Sequence, residues 1–291
     1  MKFSETKHFY KLHGAGNDFI ILDNRPGNCP EAVFDGTAHD RIARICARHT
    51  GVGADGFMLI SESRRADFAL AYYNADGHPG EMCGNGARCA VWLACQLGIA
   101  PENCSFEVWG QLYRASVMDK RDVRLQMRPP TVLKNDAELS PLKSNGFDAM
   151  FWLDTGVPHL VVEFADQLAG LDIVKWGKYF REHALFQPSG TNVNFVQPSG
   201  DHQLTVRIYE RGVENETLAC GTGAVACAVF AAKKFGWDSP VTVQSPGGRL
   251  IVDFDEALQE IFLTGPVCEV FTGNLKFEIC MLDAAGGDTG Y

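Results

Sequence analysis

One segment of this chain is written twice. MCGNGARCAVWLACQLG begins at Met82 and ACGTGAVACAVFAAKKFG at Ala219; each sets a cysteine before G-x-G-A, runs through an Ala-rich apolar stretch and closes on a glycine, Gly98 or Gly236. Cys83 and Cys220 lie 137 residues apart, and the same offset pairs Tyr72 with Tyr209 and Gly53 with Gly190. Beyond the cysteines the offset becomes 138, pairing Cys89 with Cys227 and Gly110-Gln111-Leu112 with Gly248-Arg249-Leu250, so the second copy carries one extra residue. Chance supplies one such match; several in register indicate duplication, which constrains the chain to two similar halves.

The 291 residues suit two domains rather than one core. In the first half FIILD, GFMLI, FALAYY, CSFEVWG and VRLQM have the β-branched and aromatic content of strands. FWLD, LVVEF, VNFVQ, LTVRIY, VTVQS and IFLTG play that part in the second. Each half also has an early helix, Gly36 to His49 and Leu171 to Glu182, besides the helix after its cysteine. The expected fold class is α+β: two pseudosymmetric domains, each a strand-rich sheet or barrel around an apolar helix. Pro129 and Pro130 punctuate the join, giving halves 1–128 and 129–274. The last strand, LKFEICML, has no counterpart in the second half, so residues 275–291 are expected to complete the first.

A net charge of −10, with no Lys- and Arg-rich run to reverse it, opposes nucleic acid or an anionic membrane as partner. The opening MKFSETKHFYKLHG lacks the apolar stretch of a secretory signal, and no segment approaches the roughly 20 apolar residues of a span. A soluble cytoplasmic protein is expected. Ten cysteines, dispersed and without a CxxC pair, fit reduced thiols better than a disulfide framework. The six-residue spacing of Cys83, Cys89 and Cys95 suits no zinc site, so no metal is expected. Cys89, Cys95 and Cys227 fall in the apolar helices, where a thiol acts as a small hydrophobe.

Cys83 and Cys220 differ because each stands in a Gly-rich turn opening a helix. Glycine allows close backbone approach, and the amides at a helix start, with the helix dipole, stabilise an anion. A thiol so placed becomes a usable base near neutrality. The same amides can hold a carboxylate. Inverting an α-carbon without a cofactor needs a base on one face and an acid on the other, and paired thiols fill both roles, exchanging them with direction. The sulfurs would then stand roughly 6–7 Å apart across the carbon. The alternative is two buried cysteines in tight turns; packing alone gives no reason to keep a thiol twice.

HGAGNDF from His13, YYNADG from Tyr72, CGNGARC from Cys83, YERG from Tyr209 and ACGTGA from Ala219 together resemble diaminopimelate epimerase, nearly end to end and in order. That resemblance implies isomerisation of LL-2,6-diaminopimelate to the meso form, without pyridoxal phosphate or metal, serving lysine and peptidoglycan synthesis. It implies two pseudosymmetric α+β domains with the site in the cleft between them, and commonly a homodimer. On the matching positions Cys83 and Cys220 are the acid–base pair, with His159 close to the thiols and Glu210 contacting an amine and shaping the site. The backbone of Gly84, Asn85, Gly221 and Thr222 holds the reacting carboxylate. Asn17, Asn74, Asn192 and Arg211 hold the remote end of the substrate. Bland alternatives stand beside these: Asn17-Asp18 and Asn74-Ala75-Asp76-Gly77 are good turn sequences, Glu210-Arg211 suits a surface pair, and His159 suits a strand end.

Two positions depart from the family pattern: Gly56, where many members carry Gln, and Val157, where many carry Asn. Both raise the question of distal recognition, with water or Asp55 as substitutes. Gly51-Val52-Gly53-Ala54-Asp55-Gly56 matches G-x-G-x-x-G, but it follows a helix and precedes a strand, the reverse of a dinucleotide site. Two rival functions remain. A proline or hydroxyproline racemase also uses two cysteines, though its first motif resembles CGHG where this chain has Asn85. A redox protein would join Cys83 to Cys220, closing the sulfurs to about 2 Å.

Overall fold

The structure is a computed structural model describing residues 6–27, 39–119, 121–143 and 146–276. In chain order it contains β1 (Thr6–Gly14), β2 (Asn17–Asp23), α1 (His39–Cys46), β3 (Gly56–Ser61), β4 (Phe68–Asn74), α2 (Gly84–Gln96), β5 (Asn103–Val108) and β6 (Gln111–Val117). Then come β7 (Asp122–Met127), β8 (Thr131–Lys134), β9 (Phe147–Asp154), β10 (Pro158–Phe164), α3 (Ile173–Glu182) and β11 (Asn192–Gly200). The chain continues through β12 (Gln203–Glu210), β13 (Asn215–Thr217), α4 (Gly221–Phe235), β14 (Val241–Ser245), β15 (Gly248–Phe254), β16 (Ile261–Pro266) and β17 (Cys268–Lys276).

The protein is α+β and has two compact units. One is made of Met1–His13, Asp18–Arg114 and Cys268–Tyr291, the other of Gly14–Asn17 and Ala115–Val267. The division falls upstream of Pro129, because β7 pairs antiparallel with β16 from Met127↔Ile261 to Asp122↔Pro266. The last strand starts earlier than LKFEICML: β17 begins at Cys268 and runs antiparallel to β1 from His13↔Cys268 to Thr6↔Lys276. Residues 277–291, the rest of that expected strand, lie outside the described residues.

In the first unit β2 and β3 are parallel, joined through α1; β3 and β4 form an antiparallel hairpin; β4 and β5 are parallel, joined through α2. Parallel neighbours need such helical crossovers, whereas a hairpin needs only a turn. The second unit repeats the sequence of connections. There β10 and β11 are parallel across α3, β11 and β12 form a hairpin, and β12 and β14 are parallel across α4. The duplication in sequence is thus a duplication in topology.

The helices after the cysteines are buried nearly all round. In α4 every residue from Gly223 to Ala231 is buried, and in α2 every residue from Gly84 to Ala94 except Trp92. Alanine repeats let strands approach the helix axis closely, so these helices serve as cores rather than amphipathic covers. Both end on glycines in the left-handed region, Gly98 at φ 67° and Gly236 at φ 69°. By contrast α1 stops at Cys46, short of the expected His49. The amides of Val52 and Gly53 take the Ile45 carbonyl and that of Ala54 takes the Cys46 carbonyl, so the loop at residues 51–54 caps the helix. That is the work of the G-x-G-x-x-G match.

The same loop is anchored by charge. Buried Lys11 donates to the Gly53 carbonyl and pairs with Asp18 at 2.6 Å, and Arg48 bridges Asp18 and Asp55. Burial alone would raise the Asp18 carboxyl, but hydrogen bonds from Arg48 and Lys11 outweigh it and hold it at about 2. In the second unit, Phe147, Phe180 and Phe195 join one core cluster with Tyr209. Gly177 in α3 lies directly against the Tyr209 ring, where an added methyl would overlap it. An exposed helical Gly→Ala change gains about 0.5–1 kcal/mol, but overpacking costs about 1–3 kcal/mol. Gly177→Ala is therefore expected to destabilise the protein, seen as a lower urea midpoint; a raised midpoint would show that the ring moves aside freely.

Candidate active site

Each cysteine of the repeat is the residue on which its helix begins. Cys83 precedes Gly84 with φ −100° and ψ 115°, and Cys220 precedes Gly221 with φ −132° and ψ 120°, both extended and neither capping the helix with its side chain. Both are partly exposed, unlike Cys46, Cys89, Cys104 and Cys227, which are buried. The first helical bonds run from Ala87 N to the Cys83 carbonyl at 2.8 Å and from Ala224 N to the Cys220 carbonyl at 2.9 Å. Amides 84–86 and 221–223 therefore precede the first intrahelical donors, Ala87 N and Ala224 N, and they give each turn its anion-stabilising character. Burial pushes the Cys89 and Cys227 thiols upward and that of Cys46 up to about 12. Those thiols are inert hydrophobes. Cys95 is half-buried rather than enclosed, its thiol donating to the Pro101 carbonyl at 3.2 Å.

The second glycine of each motif is a packing requirement. A side chain at Gly86 would overlap Met58 and press on Phe19 at 3.2 Å. One at Gly223 would meet Asn194 Oδ1 at 2.5 Å and His159 Cε1 at 3.3 Å. In the first unit Asn85 is 1% exposed; its Oδ1 accepts from Arg88, which also donates to the Gly84 carbonyl. Asn74 ends β4 in an exposed turn, its carbonyl accepting from Gly77 N at 2.9 Å. Gly56 faces Asn74 across β3 and β4, and a Cβ there would lie 2.6 Å from the Tyr72 ring. The Tyr72 ring thus fills the space a side chain at residue 56 would take. Asp55, the candidate substitute, is committed to Arg48.

The second unit brings most of the other expected residues together. Parallel pairing of β10 with β11 sets His159 opposite Asn192. Asn192 Oδ1 accepts from Arg211 N at 2.9 Å and its Nδ2 donates to the Pro158 carbonyl at 3.2 Å, so it fixes the turn carrying Arg211 after Glu210. Asn17 belongs to this unit through the segment Gly14–Asn17. That segment turns at Ala15 and Gly16 with φ 53° and 84°, against Leu218 and Gly247. His159 is fully buried, its Nε2 lies 2.9 Å from Thr222 Oγ1, and Thr222 Oγ1 lies 3.3 Å from Cys220 Sγ. The histidine therefore reaches Cys220 through a hydroxyl. Buried Thr155 donates to the Thr222 carbonyl at 3.0 Å, holding the first turn of α4.

Two residues escaped the sequence: Thr155 and Asn194, the latter 3.1 Å from His159 Nδ1. Asn194 was within reach of strand periodicity, since residues two apart share a face and Asn192 was already a candidate. Among the described residues no three His, Cys, Asp or Glu side chains cluster as a metal site, and no helix is long and apolar enough to cross a membrane.

The profile of the diaminopimelate epimerase family matches residues 9–133 and 151–270. The chain belongs to that family. Membership makes it an isomerase. It is 42% identical to the diaminopimelate epimerase of Aquifex aeolicus, over 93% of this chain and 98% of that one. It is also 42% identical to that of Chlorobaculum tepidum, over 91% and 99%. Among solved structures it resembles a Bacillus anthracis phenazine biosynthesis protein of the PhzF family, with TM-score 0.71 and 14% identity over 93% of this chain and 99% of that one. A hydroxyproline epimerase from Agrobacterium vitis follows at TM-score 0.67 and 15% identity, over 94% of each chain. These two likenesses establish the fold.

Burial, reinforced by the Arg211 charge, depresses His159 from its ordinary 6.5 to about 3. Between those values the unfolded chain holds a proton that the folded ring excludes, so stability falls as pH drops through that window. Urea unfolding from about pH 7 to about pH 4 should show a steeper acid loss for the wild type than for His159→Gln. Equal slopes would mean that the folded ring titrates normally.

Proposed function

We propose that this chain epimerises LL-2,6-diaminopimelate to meso-2,6-diaminopimelate by a two-thiol acid–base mechanism. The observation that carries the reading is the matched pair of helix starts, each with a partly exposed cysteine in extended conformation ahead of Gly-rich amides. One thiolate removes the α-proton and the other thiol returns a proton to the opposite face, leaving the thiols with exchanged protonation states. Carbanion charge spreads into the adjacent carboxylate, where amides 84–86 and 221–223 stabilise it. No cofactor enters either step.

Asn17, Asn74, Asn192, Glu210 and Arg211 serve the remote amino-acid end of the substrate. A zwitterionic end needs donors for a carboxylate and an acceptor for an ammonium, and Arg offers the carboxylate a bidentate fork. His159 acts as a neutral hydrogen-bond donor rather than a charged acid, because its buried ring holds no extra proton near neutrality. The product serves lysine and peptidoglycan synthesis, and the enzyme works as a cytoplasmic homodimer.

The specificity expected for the family separates this reading from a proline or hydroxyproline racemase. Proton NMR of LL-diaminopimelate in D₂O, with reduced enzyme and no added cofactor, should show loss of the α-proton signal and growth of the meso isomer. Cys83→Ala and Cys220→Ala should each reduce exchange at least a thousandfold, since each removes one of two obligatory groups. Exchange of proline instead would transfer the chain to the racemases, and disulfide-coupled turnover would favour a redox protein.

A further inference from the structure

Asn194 lies in β11 beneath the start of α4, fully buried. Its Nδ2 donates to the Leu160 carbonyl at 3.2 Å and lies 3.1 Å from His159 Nδ1. Its Oδ1, also buried, has no hydrogen-bond partner among the described residues. The orientation is chemically forced. A carbonyl can only accept, so the atom facing Leu160 O must be the amide nitrogen. The same nitrogen then faces His159 Nδ1, which must accept. An amide oxygen at that place would accept from Nδ1–H and select the other neutral tautomer instead. Retaining an unsatisfied oxygen in the core so that the nitrogen stays in place marks a constrained polar chain.

The consequence propagates. With Nδ1 accepting, the neutral ring carries its hydrogen on Nε2 and donates it to Thr222 Oγ1 at 2.9 Å. The Thr222 hydroxyl, having accepted there, keeps its single hydrogen to give, and Cys220 Sγ lies 3.3 Å away, where a thiolate can only accept it. Gly223 makes room for this stack, since a Cβ there would meet both Asn194 and His159. The chain transfers no proton; it orients donors.

We propose that Asn194 is a positioning residue that, through the His159 tautomer, commits the Thr222 hydroxyl to Cys220 and so favours the thiolate of that cysteine. Its place in a reaction rests on the two-thiol reading above, but the thiol bias itself is open to measurement without substrate. Thr222 thereby has a side-chain role beyond its backbone amide. His159, neutral throughout, acts on Cys220 at one remove.

The test is the pH dependence of Cys220 alkylation by iodoacetamide in the full-length reduced protein, read by mass spectrometry of the Cys220 peptide. Thr222→Val keeps shape and amide but removes the hydroxyl, and should raise the alkylation midpoint by about one pH unit. Thr222→Ser should restore it, which a purely structural role would not require. Asn194→Asp lets a carboxylate accept from Nδ1–H, turns Nε2 into an acceptor and draws the Thr222 hydrogen away from sulfur, and should also raise the midpoint. In a Thr222→Val background Asn194→Asp should add nothing; an additive rise would show direct charge repulsion and overturn the part assigned to Asn194. An unchanged midpoint in Thr222→Val would overturn the whole chain. Shifted midpoints together with no α-proton exchange on diaminopimelate would leave the chain standing and remove the epimerase reading.

Discussion

The core helix of each half can start at its cysteine only because the residue three positions on has no side chain. Gly86 sits on Met58 and Phe19, and Gly223 on Asn194 and His159; an added Cβ would overlap Met58 or Asn194 and press on the ring beside it. The consequences are linked. A helix that reaches the strands so closely is buried along its length, hence the alanine-rich sequence. Its first turn is pinned at a fixed depth, so the extended cysteine before it and the amides after it are fixed too. A looser start would leave the thiol on a mobile loop, where geometry within a few tenths of an ångström is not held.

The two helix starts share a backbone but differ in what supports them. Beneath α2 the supports are a methionine and a phenylalanine, with Arg88 drawn over Asn85 and the Gly84 carbonyl. Beneath α4 they are an asparagine and a histidine that continue through Thr222 to the sulfur. Duplication kept the Gly-rich turn in both halves while the layer under it diverged. An acid–base pair benefits from such divergence, because two identical thiols would have no preferred resting distribution of one proton between them.

Much of this was legible in the sequence. The repeat offset placed Cys83 and Cys220 at helix starts and Gly98 and Gly236 at helix ends, because those positions rest on local backbone chemistry that glycine advertises. Strand runs such as GFMLI and VNFVQ were visible for the same reason: composition and period are local. What escaped depended on partners far along the chain. The end of α1 at Cys46 follows from the loop at residues 51–54 taking its last carbonyls. The start of the last strand at Cys268 follows from a ladder to β1. The crowding of Gly56 comes from the Tyr72 ring in the neighbouring strand, so its meaning as a departure from the family pattern was invisible without that strand.

By itself, then, the sequence determined that the chain is duplicated, that two thiols open two core helices, and that the family is that of diaminopimelate epimerase. Each follows from order, spacing and residue type, which need no coordinates. The tertiary structure decided which side chains the Cys220 thiol answers to. Strand register set His159 opposite Asn192 and carried Asn194 under the helix, and burial removed the charge from the histidine. Hydrogen-bond direction is a property of atoms within about three ångströms of one another, and only folding brings residues 159, 194, 220 and 222 within that reach.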